Sequence, residues 1–355
     1  MKIAIIGAGL YGCYLASKFA SMNTKVDLYE KNDGILECAA TNNQSRLHYG
    51  FHYPRSPDTI LQTIEGSKIF KQEMSQCIFY PKKNYYAVHK DSKIDFESYL
   101  RVMDEFNLEY THANPLDISL FSNPIEIEGA INTNEGVIVL SELKKILSGS
   151  LHDAGVKVKT GVLVTNIDPG SGKVYIDHKL EASRSYDWII NTTYTNPNLG
   201  LSEAKKFDVK YELTGMVLLK NESLDNTCMT IMDGEFVSLY PRHHGAYTLS
   251  SVRYTPMKRF DSFEEFKMGS SAFLENSDFT MNIEKIIDDA RKYIVSDVLV
   301  GIENQMWVAP KVKIKNDHNA TRVSSFIHNG RVISVMCGKI DVIPLVFSQL
   351  KRVIM

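Results

Sequence analysis

Gly7, Gly9 and Gly12 fall in G-x-G-x-x-G spacing, and an acidic residue, Glu30, closes the next apolar run. Residues of these types at this spacing hold the pyrophosphate and ribose of a dinucleotide. Gly7 permits a tight turn, Gly9 lets backbone N–H groups approach the phosphates, and Gly12 lets a helix pack against a strand. Ala8, Leu10 and Tyr11 lie among them and offer backbone donors where a helix begins, while Lys31 follows the acid. Three elements must position this set. Lys2 to Ile6 reads as a buried strand, Tyr11 to Ser21 as a helix whose N-terminal end faces the anion, and Lys25 to Tyr29 as a strand that delivers Glu30 to the ribose hydroxyls. Strand, glycine turn, helix, strand and terminal acid occur in the order a nucleotide-binding unit requires.

A second group of chemically capable residues lies in the polar segment Ala39 to Ile60. Asn42, Asn43, Gln44, Ser45 and Arg46 load one loop with hydrogen-bonding groups, and Gly50, Pro54 and Pro57 prevent a long helix. An apolar helical pattern resumes at Ile60. His48 and His52 have i,i+4 spacing, but the glycine between them opposes a helix and no acid completes a zinc motif, so no metal is expected. Arg46, Arg242 and Arg253 are the candidate anion clamps, because a guanidinium fork binds a carboxylate through two parallel hydrogen bonds. Arg253, at the end of a predicted strand, is preferred, with Arg242 next. Tyr240 and Tyr254 flank these strand ends as candidate hydrogen-bonding groups for a substrate.

The chain has 355 residues, enough for two domains, and its 44% hydrophobic and 23% charged content is that of a soluble protein. With 40 basic and 42 acidic residues it advertises neither nucleic acid nor an anionic membrane. Five scattered cysteines, without a C-x-x-C pair, read as reduced thiols of a cytoplasmic protein. The first apolar stretch is already required as strand and helix, so it is not read as a signal peptide, and no apolar run reaches bilayer-spanning length. The last residues, with Lys351 and Arg352, read as a terminal helix.

The chain resembles the FAD-dependent oxidoreductases of the D-amino-acid oxidase and glycine oxidase superfamily, most nearly the branch of 2-hydroxyglutarate oxidases and dehydrogenases. Besides Gly7 to Gly12 with Glu30, the resemblance rests on Asn42 to Tyr53, Ile131 to Asp168, Tyr186 to Asn198 and Val332 to Val346. It implies FAD as cofactor. It also implies that Asn43, Ser45, Arg46, Leu47 and His48 run past the flavin, that Val164 lies on the adenine side, and that Asn191, Thr192 and Thr193 meet the pyrophosphate. Gly338, Lys339 and Ile340 would then close over the isoalloxazine at the opening of the last helix, with Asp341 as a helix-start acid. His48 would take a proton from substrate; an 8α-histidyl tether to FAD and a packed structural residue are the alternatives. The family's arginine before the late proline is replaced by Ala309, and its small residue after the strand by Thr192, Thr193 and Tyr194. The first departure speaks against a simple amino-acid substrate.

The expected fold is α/β, or α+β overall. A Rossmann-like FAD-binding domain over 1–85, 130–207 and 318–355 is interleaved with an antiparallel-sheet substrate domain over 86–129 and 208–317. Apolar patterning supports this with a helix over Leu140 to Leu151, a β-rich run over Val156 to Ile167, long strands from Tyr211 to Tyr254, and helices over Phe263 to Leu274 and Ile283 to Val295. The expected activity is oxidation of a CH–OH or CH–NH group of a small, polar, anionic metabolite. Hydride would pass to flavin N5, and oxygen or a quinone would serve as acceptor. A sugar-mutase-like flavoenzyme and a flavin-binding scaffold without catalysis are the alternatives, with a nicotinamide dehydrogenase behind them.

Overall fold

A computed structural model describes residues 1–114, 117–118, 126–177, 179–242, 245–315 and 324–355, with the side chains of 179–184 excepted. Lys2–Ile6 is apolar beyond its first residue and buried on both faces, as a central parallel strand must be. It lies inside a six-stranded sheet ordered Ser325–Asn329, Val332–Met336, Trp188–Asn191, Lys2–Ile6, Lys25–Tyr29, Lys157–Lys159. All pairs are parallel except the outermost, Ser325–Asn329. Register aligns Ile6 with both Tyr29 and Asn191, and Asn191 with Ser334. Gly7, Glu30 and Thr192 therefore leave the sheet at one level, along the carboxyl edge where open α/β sheets bind ligands. The helix Leu10–Ala20 packs on this sheet between Leu140–Asp153 and the terminal helix Ile343–Ile354.

The larger sheet has nine strands. Its order is Pro256–Phe260, Val209–Lys220, Ala246–Ser251, Val237–Pro241, Thr227–Met232, Lys83–His89, Ile127–Thr133, Tyr110–His112, with Ile302–Ile314 also pairing to Val209–Lys220. The pairing of Lys83–His89 with Thr227–Met232 is parallel and the rest antiparallel. Cross-strand partners share a face, so the pairs Tyr86↔Thr230, Thr230↔Ser238, Ser238↔Ser250, Tyr240↔Thr248, Leu218↔Thr248 and Met216↔Trp307 put these side chains on one side. Two small sheets join the parts. One is a meander of Val164–Asp168, Lys173–Ile176 and Lys179–Ser185; the other pairs Arg46–Leu47 and Ile78–Phe79 with Gly136–Ile138.

Several expectations change. The β-rich run Val156 to Ile167 is two strands divided at Gly161, whose φ of +66° turns the chain out of the parallel sheet. Pro57 opens the helix Pro57–Met74, where its missing N–H has no intrahelical partner to lose. The divisions expected at 85/86 and 129/130 fall inside Lys83–His89 and Ile127–Thr133, which belong whole to the larger sheet. Buried strands of the two sheets have the same β-rich composition, so no change of texture marks the crossing. The division at 317/318 lies outside the described residues.

Candidate functional site

The glycine turn is built as its spacing requires. Gly7 has φ +96°, and a Cβ on Gly12 would lie 1.8 Å from the Gly7 carbonyl oxygen, so strand and helix meet backbone to backbone. In front of Gly9 nothing lies within 4 Å of a Cβ position. Gly9 is also the N-cap of the helix and supplies no side-chain acceptor, which leaves the first N–H groups uncapped. Glu30, buried, accepts the Ala8 N–H through Oε2 at 2.7 Å and the Asn32 N–H through Oε1 at 2.9 Å. Each carboxylate oxygen keeps a second lone pair for a ribose hydroxyl. Lys31 is exposed, and Val164 is buried against Ile6 and Tyr29. An open, uncapped, positively polarised turn with an acid at its rim fits the pyrophosphate and ribose of FAD.

The hydroxyls expected at the pyrophosphate are used by the chain itself. Thr192 Oγ1 donates to the Ile6 and Gly7 carbonyls at 2.9 Å, and Thr193 Oγ1 to Asn191 Oδ1 at 2.8 Å and the Asn196 carbonyl at 2.9 Å. Asn191 Nδ2 donates to Ser334 Oγ at 3.0 Å and the Asn196 carbonyl at 2.9 Å. These three residues brace the glycine turn from behind.

The loop after Glu30 carries the second half of the site. Asn43 Oδ1 accepts the Ser45 N–H at 2.6 Å while its Nδ2 donates to the Ala39 carbonyl, so the side chain folds the loop. Arg242 reaches over from the larger sheet: Nη1 donates to the Asn43 carbonyl at 2.7 Å and to Ser45 Oγ at 2.8 Å, and Nη2 to the Thr41 carbonyl at 3.3 Å. Its guanidinium lies 4.4 Å from the Trp307 ring centre. Among the described residues no carboxylate comes within ion-pair distance, and burial lowers its pKa to about 10. Arg46 inserts deeper. Nη2 donates to Tyr86 Oη at 2.8 Å and Thr230 Oγ1 at 2.9 Å, and its guanidinium sits 4.0 Å from the Tyr240 ring centre. Leu47 points into the core.

His48 is largely, though not fully, buried beside this network. Its Nδ1, sealed from solvent, lies 3.7 Å from Glu135 Oε2, and its ring stacks at 5.2 Å on His52. Burial, followed by Lys339 and Arg46, lowers its pKa well below the ordinary histidine value, so the ring is neutral.

The third wall is the turn between Met336 and the terminal helix. Gly338 N–H donates to Ser324 Oγ at 3.1 Å, and Tyr11 Oη donates to the Lys339 carbonyl at 2.6 Å. Lys339 Nζ stands 3.1 Å from the Tyr53 ring centre, and Ile340 is partly buried. Gly338 was expected to open the last helix, but that helix starts at Ile343, and Asp341 does not cap it. The Asp341 carboxyl is instead fully buried, with neither oxygen in a well-formed hydrogen bond, and burial raises its pKa to about 7 against the opposing pull of Lys339.

Two candidates move away from the site. Arg253 lies in a turn beyond Ala246–Ser251, exposed and ion-paired to Glu235 at 3.1 Å. The strand ends at Ser251, short of Arg253, and the side chain swings outward. Tyr240 Oη donates to Asn84 Oδ1 at 3.0 Å, so this tyrosine supports Arg46 with its ring and turns its hydroxyl inward. Conversely, Glu135 and Tyr86, absent from the sequence-based candidates, sit at the centre. The acid before Gly136 is visible in the sequence, but nothing local links it to His48.

The geometry defines a flavin-type dinucleotide site under an antiparallel roof. The sequence model of the family described as FAD dependent oxidoreductase, DAO, matches residues 2–319, and the chain belongs to that family. It is an FAD-dependent enzyme of the oxidoreductase class, which sets aside the sugar-mutase, scaffold and nicotinamide alternatives. A relative named FAD-dependent monooxygenase FPY4, from Fusarium mangiferae, is 28% identical over 353 residues, covering 96% of this chain and 88% of its own. The fold is similar to glycine oxidase from Geobacillus kaustophilus, at 12% identity and TM-score 0.74, covering 99% of this chain and 94% of that one. It is also similar to L-alpha-glycerophosphate oxidase from Mycoplasma pneumoniae with FAD bound, at 15% identity and TM-score 0.76, again covering 99% and 94%. No helix among the described residues is long and apolar enough to cross a membrane.

Proposed function

We propose that this enzyme oxidises a CH–OH or CH–NH group of a small anionic metabolite, with His48 as proton acceptor and Arg242 as anion anchor. The observation that carries the reading is a neutral, largely buried imidazole on the loop that follows the glycine turn, together with a partly desolvated guanidinium that reaches the same loop from the roof and has no carboxylate within ion-pair distance among the described residues. FAD, when bound, supplies a two-electron acceptor. The uncapped turn at Gly9 and the acid Glu30 hold its phosphates and ribose. Arg242 replaces Arg253 as the preferred clamp, because among the described residues its Nε–H is left for a carboxylate while Nη1 and Nη2 bind the loop and the Trp307 ring lies 4.4 Å from the guanidinium. A neutral His48 accepts the proton of the substrate hydroxyl or amine as the C–H electron pair departs. The blocks similar to the 2-hydroxyglutarate branch make 2-hydroxy acids the first compounds to test. Anaerobic addition of 2-hydroxy acids, amino acids and sugar acids to the yellow protein tests the reading: bleaching by one anionic compound supports it, and bleaching by none in the set overturns it.

A second reading follows from the monooxygenase name of the 28% identical relative. It is favoured if labelled oxygen from O2 enters the product, whereas hydrogen peroxide with unlabelled product favours the first.

A further inference from the structure

Glu135 is a buried acid to which the proposed chemistry has so far given no task. It lies in the short connection between Ile127–Thr133 of the larger sheet and Gly136–Ile138, the strand that holds Arg46–Leu47 in place. Its side chain is 1% exposed. Oε1 accepts the Tyr49 N–H at 2.6 Å, and Oε2 accepts the Tyr86 hydroxyl, which in turn accepts from Arg46 Nη2 at 2.8 Å. Burial raises the Glu135 pKa above the ordinary glutamate value, and Arg46, the Tyr86 hydroxyl, the Tyr49 N–H and Lys339 act against that rise and favour the ionised form.

The same Oε2 faces His48 Nδ1 at 3.7 Å. That separation is beyond a hydrogen bond, but it is the range in which catalytic contacts stand before substrate closes them. Nδ1 is sealed, and among the described residues it has no hydrogen-bond partner and faces the Glu135 carboxylate, so the 12% exposure of the side chain lies on atoms other than Nδ1.

We propose that Glu135 is the positioning residue of His48, fixing the Nδ1–H tautomer so that Nε2 is the proton-accepting atom, and stabilising the imidazolium that results. This rests on the reading of His48 as proton acceptor. In the step, the substrate O–H or N–H bond breaks and its proton bonds to Nε2. The C–H bond breaks with its electron pair leaving as hydride to FAD, the oxidant of the established activity. Glu135 keeps its charge throughout and takes no proton.

The groups facing His48 are Glu135, Lys339, Arg46, Asp341 and the rings of His52 and Tyr53. Of these, Glu135 is the carboxylate in ion-pair range of the ring. In ¹⁵N-histidine NMR of the FAD-loaded wild type, with His48 assigned by its loss in His48→Gln, an Nδ1–H tautomer is expected. In Glu135→Gln, checked for unchanged flavin content, the His48 pKa should fall by about one unit or more, because an opposite charge within a few ångströms has been removed. An Nε2–H tautomer in wild type, or an unchanged titration in the variant, overturns the inference. If Glu135→Gln fails to hold flavin, the wild-type tautomer alone decides.

With the 2-hydroxy acid or other anion that bleaches the wild type, Glu135→Gln should slow flavin reduction on the order of a hundredfold with KM little changed, and Glu135→Asp should restore part of the rate. A slow His48→Gln with a wild-type Glu135→Gln removes the role of Glu135 and leaves the proposed function standing. A His48→Gln that reduces its flavin at the wild-type rate removes both.

Discussion

A partly desolvated guanidinium with no carboxylate within ion-pair distance among the described residues is destabilised, and Arg242 is held in that state by the Trp307 ring and three oxygen acceptors of the loop. Arg253 is the opposite case, solvated and paired to Glu235. The two arginines therefore separate in a simple experiment. Arg242→Gln removes a charged hydrogen-bonding anchor and should raise KM for the anionic substrate roughly ten- to a hundredfold, the equivalent of about 1.5–3 kcal/mol. Arg253→Ala should leave kcat/KM within about twofold, since exposed ion pairs contribute little. Steady-state kinetics on both variants checks the pair, and a large loss in Arg253→Ala with none in Arg242→Gln would reverse the assignment.

Among the elements, the helix Leu10–Ala20 depends on how closely its first turn approaches Lys2–Ile6. A Cβ on Gly12 would lie 1.8 Å from backbone oxygen, and Thr192 closes the other side of the turn through its hydroxyl. Gly12→Ala must push helix and strand apart and displace the N–H groups aimed at the pyrophosphate. FAD affinity should drop at least about tenfold, read as the flavin-to-protein absorbance ratio after purification and by titration of the stripped protein. Thr192→Val keeps the volume but loses the brace. It should cost about 1 kcal/mol of stability, measured by thermal unfolding, with a smaller loss of flavin.

Across the whole molecule, burial of Asp341 links the terminal segment to pH. Gly66 of Pro57–Met74 lies so close that a Cβ there would come within 2.3 Å of the Asp341 carbonyl oxygen, which leaves no room for water to solvate this turn from that side. An acid whose pKa rises on folding, here from 3.8 to about 7, binds its proton more tightly in the native state. Its contribution is therefore present at low pH and is lost as pH rises from about 4 to about 7, by up to about 4 kcal/mol. His48 acts in the opposite direction. Its lowered pKa means that the unfolded chain takes the proton first, so stability falls as pH drops below the ordinary histidine value. Denaturant unfolding of wild type and Asp341→Asn across this range isolates the acid: the variant should lose the decline toward neutral pH. A decline of equal size in both proteins would refute the assignment.

The local sequence determined the parts whose physics is local. Gly7 and Gly12 specify a turn because one needs a positive φ and a Cβ on the other would meet the Gly7 carbonyl oxygen, Gly9 keeps the space in front of the turn open, and the apolar runs on either side fix strand and helix by period. The acid at the end of Lys25–Tyr29 and the terminal helix with Lys351 and Arg352 in its last turn were legible for the same reason. Tertiary structure decided the proposed catalytic half. Glu135 and His48 are far apart in the chain and meet because Gly136–Ile138 pairs with Arg46–Leu47. Arg242 reaches its loop across the fold, Tyr240 turns its hydroxyl away from the site, and Asp341 is buried where a helix cap was expected. Side-chain type gives the chemistry a residue can do. Desolvation and the company of distant charges, which set whether it does it, exist only once the two sheets have closed on each other.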